Sequence, residues 1–368
     1  MPRVLLVLPT TTYRASDFLK AAASLGASVV VATEDAPPLL AERAVQVDLD
    51  DPEAAAALMV DRDDRLPIDA VVAVDDRGVL PAAHAALRLG LPHNAPDAVA
   101  ATRDKAEMRR RLAAGEVSQP AFEVLGDDVP TLPYPLVLKP LDRSGSTGVI
   151  RVDDEDAARD AMARIRRIVD DPSAPLLAER FVPGAEVSLE GLLRDAELEV
   201  LAVFDKPDPL DGPYFEETIY VTPSAHASDE LARVVTDGCR AIGLTEGPVH
   251  AEARITDDGT VVLIEVAARS IGGLCSRALT FGAGVSLEEL ILRHALHLPL
   301  DDLERERRAS GVMMLPIPQS GVLREVRGRE EALAVPGVGG LEITIPPGRE
   351  VRALPEGDRY LGFLFATG

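Results

Sequence analysis

The chain has 368 residues and is 46% hydrophobic, enough for two or three compact units with buried cores. A formal charge of −23 repels polyphosphate backbones and anionic membrane surfaces, which argues against nucleic-acid and lipid partners. Two cysteines, Cys239 and Cys275, cannot build a disulfide framework or a zinc site. No apolar run is long enough for a signal segment or a membrane span, so a cytoplasmic location is expected.

From residue 1 to about 95, apolar runs alternate with helical patterns: a strand at 4–8, a helix at 16–25, a strand at 27–33, a helix near 52–60, a strand at 70–76 and a helix at 78–89. That alternation predicts a parallel sheet with crossover helices. PTTTYRAS follows the first strand where a dinucleotide-binding chain would carry G-x-G-x-x-G, so the unit is Rossmann-like without that fingerprint. Residues 93–115 predict two helices, the second opening near Thr102 and stopping at Gly115. A small α+β unit follows, with strands at 122–125, 136–139, 149–152 and 176–181 and a helix at 155–169. Beyond it the pattern gives strands near 187–204, an irregular segment at 205–223, a helix at 228–242 and strands at 249–256 and 260–266. SLEELILRHAL then predicts a helix, and a mostly β tail runs from 310 to 368.

Three stretches carry chemistry. In LVLKPLDRSGSTGV, residues 136–149, Lys139 ends a strand ahead of Ser144, Gly145, Ser146, Thr147 and Gly148. The backbone N–H groups of such a small-residue tip can close as a nest over anionic oxygens, with the ammonium beside them. The order is the reverse of G-x-x-x-x-G-K-[ST], which the chain lacks, and an ordinary hairpin with a solvent-facing lysine is the alternative. Lysine is otherwise scarce, with only Lys20, Lys105 and Lys206 besides. In LLAERFVPGAEVSLEG, residues 176–191, Glu179, the 180–182 backbone and the apolar Phe181 and Val182 offer a slot and a hydrogen-bonding edge for a purine. Glu186 lies within reach of ribose hydroxyls. An acidic strand end in an acidic chain is the alternative.

The third stretch, HAEARITDDGTVVLIEVAARSIGG at 250–273, places Glu252 and Glu265 on two strands around a DDG turn, able to share one face. Two carboxylates on otherwise apolar strands repel unless a cation such as Mg²⁺ lies between them, and the alternative is a solvent-facing pair. Arg269 follows in position to meet a reacting carboxylate or a transferring phosphoryl group. Gly272 and Gly273 let a substrate approach the backbone, or open a helix N-terminus to an anion.

In this order and spacing the three stretches resemble the ATP-grasp superfamily, and within it the carboxylate-amine ligases that include bacterial L-amino acid (dipeptide) ligases. The resemblance implies an α/β and α+β chain: a Rossmann-like pre-ATP-grasp domain at 1–95, connecting helices at 96–119, a lid subdomain at 120–183, a catalytic domain at 184–309 and a β-rich C-terminal part at 310–368. It implies that Lys105 and Lys139 contact phosphates and that residues 144–148 close over the triphosphate. Glu179, Arg180, Phe181 and Val182 would form the adenine hinge, Glu186 the ribose acceptor, and Glu252 and Glu265 the ligands of Mg²⁺ or, alternatively, Mn²⁺. Arg269 would steady an acyl-phosphate and a tetrahedral intermediate.

The implied activity is ATP-dependent amide or peptide bond formation between a small-molecule carboxylate and an amine, with amino acids expected as substrates and a homodimer as the assembly. An ATP-grasp carboxylase and a nucleotide-binding protein without ligase activity are the alternatives. The chain departs from the family's Glu-x-Asn-x-Arg pattern, because Ala267 holds the Asn place. His250 stands two residues before Glu252 and has either a phosphoryl- or product-contacting role or a structural one. The segment 204–224 is the expected substrate-shaping loop, with Glu217 placed to hold a free amine, Lys206 a carboxylate, and Tyr220 beside them; a surface excursion is the alternative. Cys275 is read as a packed residue, and His294 and His297 as packing or solvent residues.

Overall fold

The computed structural model describes residues 1–35, 43–63, 67–300 and 304–368. The first unit runs β1 (Arg3–Val7), α1 (Ala15–Ser24), β2 (Ser28–Thr33), β3 (Ala44–Gln46), α2 (Pro52–Asp63), β4 (Ala70–Ala73) and α3 (Asp76–Leu89). Its strands form a parallel sheet in the order β3-β2-β1-β4, with the switch point between β1 and β4. Loops after the carboxyl ends of such strands are where α/β sheets bind ligands. The strand expected at 70–76 stops at Ala73, because the Asp75 side chain caps the next helix by accepting the Asp76 N–H at 2.8 Å. Asp76 is therefore a helix residue at the mouth of the sheet.

Two connecting helices follow, α4 (Pro96–Arg103) and α5 (Lys105–Ala114). The break falls at Asp104 rather than near Thr102, since the Asp104 carboxylate accepts the N–H groups of Ala106 and Glu107 and starts α5. This cap puts Lys105 in the first turn.

The small unit holds β5 (Phe122–Leu125), β6 (Leu136–Pro140), β7 (Ile150–Val152), α6 (Glu155–Val169) and β8 (Leu176–Arg180), paired in the order β5-β8-β6-β7. Helix α6 buries Ala158, Ala161, Met162 and Ile165, a stripe at helical spacing that covers one face of the sheet. The register sets Lys139 opposite Leu177, two residues before Glu179 on the same strand.

The rest comprises β9 (Ala185–Arg194), β10 (Glu197–Lys206), β11 (Ile219–Thr222), α7 (Asp229–Ile242), β12 (Gly247–Ile255), β13 (Val261–Ala267), a 3₁₀ turn (Cys275–Ala278), α8 (Leu287–Ala295), β14 (Ser310–Leu315), β15 (Gly321–Val322), α9 (Arg329–Leu333), β16 (Val338–Ile343), β17 (Glu350–Val351) and β18 (Gly362–Thr367). One antiparallel sheet runs β13-β12-β9-β10-β11-β14-β18-β16, so the last strands of the chain continue the central sheet. The irregular segment expected at 205–223 ends in β11, which joins the two halves of that sheet. A shared apolar core of Val4, Leu6 and Phe18 with Ile271, Leu274, Phe281 and Phe363 fastens the first unit to the central one. Among the described residues no helix is long and apolar enough to cross a membrane.

Candidate active site

The loops after β1 and β4, the small unit, the β12–β13 hairpin and the 352–360 turn enclose a cleft of about 910 Å³. Of the residues expected from the sequence to bind ATP, metal or substrate or to act in catalysis, all but Gly148 and Lys206 line it. Pieces as far apart in the chain as Pro9 and Tyr360 thus meet around one space.

Lys139 is 6% exposed, and its ammonium meets the Glu179 carboxylate at 2.7 Å. The other Glu179 oxygen accepts from Arg109 Nε at 2.7 Å, while Arg109 itself is fully buried and also donates to the carbonyls of Leu263 and Ile264. Burial alone would raise the Glu179 carboxyl, but Arg109 and Lys139 outweigh it and hold its pKa at about 2. Burial also pulls the Lys139 ammonium below its ordinary value, against the attraction of Glu179. Both oxygens of Glu179, which the resemblance puts at an adenine hinge, thus already hold cations of the protein. The hinge backbone is partly spent too, because Arg180 N donates to Ala121 O and Phe181 N to Pro135 O. The N–H of Val182 has no acceptor among the described residues and remains available to a base edge. The Phe181 ring lies under two guanidinium groups, Arg151 at 4.4 Å and Arg254 at 5.1 Å from its centroid.

Beneath the cleft lies a chain of buried charges. Lys206, with a side chain 2% exposed, donates to Glu186 at 2.9 Å, Glu252 at 3.0 Å and Glu217 at shorter range. Burial works against its charge, yet the three carboxylates outweigh it and raise its pKa well above the ordinary value. The expectation that Lys206 receives a substrate carboxylate is corrected, since its three donors are met by protein acids and the residue does not line the cleft. Glu186 lines the cleft with each oxygen already taking one donor, Lys206 and Arg254. Glu217 also accepts from Tyr220 OH at 2.8 Å, and burial raises its carboxyl to about 7. His250 sits between Glu190 and Glu252, the latter at 3.3 Å from Nε2; burial opposes its proton, but Glu190 leads in raising its pKa to about 9. Glu190 uses its second oxygen to accept Ile271 N–H at 2.8 Å, which ties the floor to the loop following Arg269.

Glu252 and Glu265 are direct cross-strand partners in β12 and β13, beside a β-bulge, and both face the cleft. Lys206 and His250 both contact Oε1 of Glu252, which leaves Oε2 without a donor among the described residues. Burial would raise this carboxyl, but Lys206 outweighs it and holds the group ionised. Glu265 has one ion-pair partner among the described residues, Lys105 Nζ at 3.9 Å, while Lys105 itself donates to Arg143 O at 2.5 Å. Two facing carboxylates with open oxygens fit a hard divalent cation. Ala267, 5% exposed, adds no oxygen to that set.

Arg269 is held in a fork by Asp76, Nε to Oδ1 at 2.7 Å and Nη2 to Oδ2 at 3.1 Å. Burial would raise the Asp76 carboxyl, but Arg269 outweighs it and sets its pKa at about 2. Gly273 has φ +62°, and a Cβ there would lie 2.7 Å from the Phe363 ring, so this position admits little but glycine. Gly272 opens on empty space, and only the four-residue 3₁₀ turn follows, so no α-helix N-terminus opens here. Cys275 is buried, donates to Met314 Sδ at 3.5 Å, and burial raises its thiol. His294 is also buried, with Nε2 2.7 Å from Leu193 O, whereas His297 is exposed.

The 144–148 tip bends through positive φ at Gly145, Ser146 and Gly148. It is docked on the C-terminal turn: Thr147 Oγ1 donates to Gly357 O and Gly148 N to Pro355 O, both at 2.9 Å. Arg164 on α6 adds a fork to Glu356 at 2.7 and 3.1 Å and donates to Tyr214 OH at 2.5 Å. The sequence reading missed Asp76, Arg109, Glu190 and Arg254. Asp76 alone carried a local signal, the carboxylate pair at the end of AVVAVDD.

Residues 132–278 match the family model of the ATP-grasp domain, and residues 19–93 that of the ATP-grasp N-terminal domain. This is an ATP-grasp protein. Residues 313–368 of the ATP-grasp chain match L-amino acid ligase C-terminal domain 2, which bears out the resemblance read in the sequence. A solved L-amino acid ligase from Bacillus licheniformis superposes with a TM-score of 0.81 at 27% identity, over 100% of this chain and 93% of that one. Alanine–anticapsin ligase of Bacillus subtilis (strain 168) is 26% identical over 260 residues, 61% of this chain and 53% of the relative. D-alanine–D-alanine ligase of Cupriavidus pinatubonensis is 26% identical over 237 residues, 58% of this chain and 70% of the relative. The ATP-grasp chain therefore spans about half the length of the Bacillus subtilis relative it matches.

Proposed function

We propose that this ATP-grasp chain is an ATP-dependent carboxylate-amine ligase. It forms an amide or peptide bond through an acyl-phosphate, releases ADP and phosphate, and takes an amino acid as substrate. The observation that carries the reading is convergence. Lys105, Lys139, residues 144–147, Glu252, Glu265 and Arg269 line one cleft whose last wall is the segment that matches the L-amino acid ligase C-terminal domain.

The chemistry of amide formation asks for what these residues can do. A carboxylate is a poor electrophile, and phosphorylation gives it a leaving group that an amine can displace. Lys105 and Lys139 place positive charge where phosphate oxygens would lie, and the Val182 N–H offers the base an edge. Arg269 donates to oxygens that gain charge in transfer. Glu252 and Glu265 would hold Mg²⁺ or Mn²⁺, which when bound supplies charge neutralisation at the phosphates. The 144–148 tip, docked on the C-terminal turn, closes the cleft against water that would hydrolyse an activated carboxyl. Glu217, ionised above about pH 7, is placed to hold a substrate amine. No protein nucleophile is needed, and the buried, raised thiol of Cys275 is unsuited to be one.

A coupled assay of ADP release, screened over amino acids singly and in pairs, tests the reading. Release that requires two amino acids supports amide formation. ATP binding without release from any carboxylate would establish the silent alternative, for which Ala267 is the specific argument.

A further inference from the structure

Arg269 does not stand free in the cleft. A guanidinium has five N–H donors, and three are in use: Nε and Nη2 on the two oxygens of Asp76, and Nη1 on Ser270 O at 3.0 Å. Two N–H groups remain. Asp76 comes from another unit, 193 residues earlier, set at the start of α3 by the Asp75 cap. A bidentate carboxylate accepts the planar fork in one orientation, so it removes the rotational freedom of a long side chain.

The pair is more than a fastener between units. That junction already has the apolar core through Phe18, Ile271 and Phe363, and it has Arg14, which bridges Val74 O at 3.0 Å and Ser270 Oγ at 2.8 Å. Neither depends on Asp76. Asp76 instead lines the cleft with both oxygens on Arg269, and Arg103 stands 3.7 Å from Oδ1 as a second cation.

We propose that Asp76 is a positioning residue of the reaction: by taking the Nε–Nη2 edge of Arg269 it leaves the two remaining N–H groups, in one fixed orientation, to the oxygens that gain charge during transfer. The inference rests on the ligase reading above. It makes the first unit part of the catalytic apparatus, because any shift of α3 carries the Arg269 fork with it.

The full chain tests it. Asp76→Asn keeps the side-chain shape and loses one acceptor, and kcat for ADP release falls on the order of 10²-fold while KM for ATP stays near wild type. Asp76→Glu keeps the charge and moves the carboxylate; kcat falls as well, with little change in thermal midpoint. In a double-mutant cycle, Arg269→Lys cannot form the fork, so adding Asp76→Asn lowers kcat little further. Independently of activity, the Arg269 Nε–H resonance is protected from exchange in wild type and exposed in Asp76→Asn. Turnover within twofold of wild type in either variant, additive losses, or unchanged protection overturns the inference. A wild-type chain that releases no ADP with any pair of amino acids removes the ligase reading itself, whereas a working enzyme indifferent to Asp76 removes only this inference.

Discussion

Replacing Glu179 by Gln isolates a buried electrostatic commitment beside the cleft. The carboxylate is 3% exposed and holds Arg109 and Lys139, each at 2.7 Å, so Gln leaves two buried cations facing a neutral amide. The carboxyl falls from 4.5 to about 2 in the fold, a difference of about 3 kcal/mol at roughly 1.36 kcal/mol per pH unit. Breaking buried ion pairs by removing one partner costs about 3–5 kcal/mol, which agrees. The sign follows from linkage. A carboxyl with a depressed folded pKa stabilises fully above 4.5, and that contribution is lost as pH falls through 4.5 toward 2. Urea unfolding of wild type and Glu179→Gln at pH 7 is expected to differ by about 3 kcal/mol, and more than half of the difference is gone at about pH 3. A gap under about 1 kcal/mol at pH 7, or one that stays constant into acid, would refute the reasoning that Glu179 works as a buried counter-ion.

Glu265→Ala is expected to abolish ADP release while circular dichroism and the urea midpoint barely move, because its one cation partner, Lys105, lies 3.9 Å away; retained turnover removes the metal assignment. Lys206→Met leaves Glu186, Glu217 and Glu252 without their shared cation and is expected to cost about 3–5 kcal/mol in urea unfolding. The raised pKa of His250, about 9 against 6.5, gives stability that is full below pH 6.5 and lost as pH rises through 9; His250→Gln should flatten that alkaline loss in thermal scans from pH 6 to 10. Arg164→Ala removes an exposed fork to Glu356, worth at most about 1 kcal/mol; faster hydrogen exchange at residues 144–152 is the expected sign that it latches the tip.

The elements and the cleft residues given roles were legible where each motif is local: a lysine ending a strand, small residues at a tip, carboxylates facing across a hairpin. What stayed hidden depends on distant chain. Arg109 stands in KAEMRRRLAA, which reads as an exposed basic helix face, yet β13 carbonyls and Glu179 enclose it completely. Lys206 looked like a loop cation facing substrate. Its burial comes from Glu186 and Glu252, 20 and 46 residues away, which only the β12-β9-β10 order brings together. Asp76 read as the end of a strand, because nothing in AVVAVDD says that Asp75 caps a helix and turns the next carboxylate toward Arg269.

The same pairs explain how a chain with a formal charge of −23 can present cations to an anionic ligand. Three cations at the cleft are each anchored on one side by a protein acid: Lys139 by Glu179, Arg269 by Asp76, and Lys105 by Glu265 at longer range. An ammonium has three donors and a guanidinium five, so anchoring leaves donors free and fixes where they sit. Attraction for a polyphosphate then comes from placement rather than from excess charge. Such a site is screened by salt less than an exposed basic patch, because its charges are buried. Raising ionic strength from 0.05 to 0.3 M is therefore expected to weaken ATP binding in calorimetry by only a few-fold, where a surface cluster of comparable contacts loses orders of magnitude. A loss of that larger size would show that exposed arginines at the mouth, and not the anchored lysines, bind the phosphates.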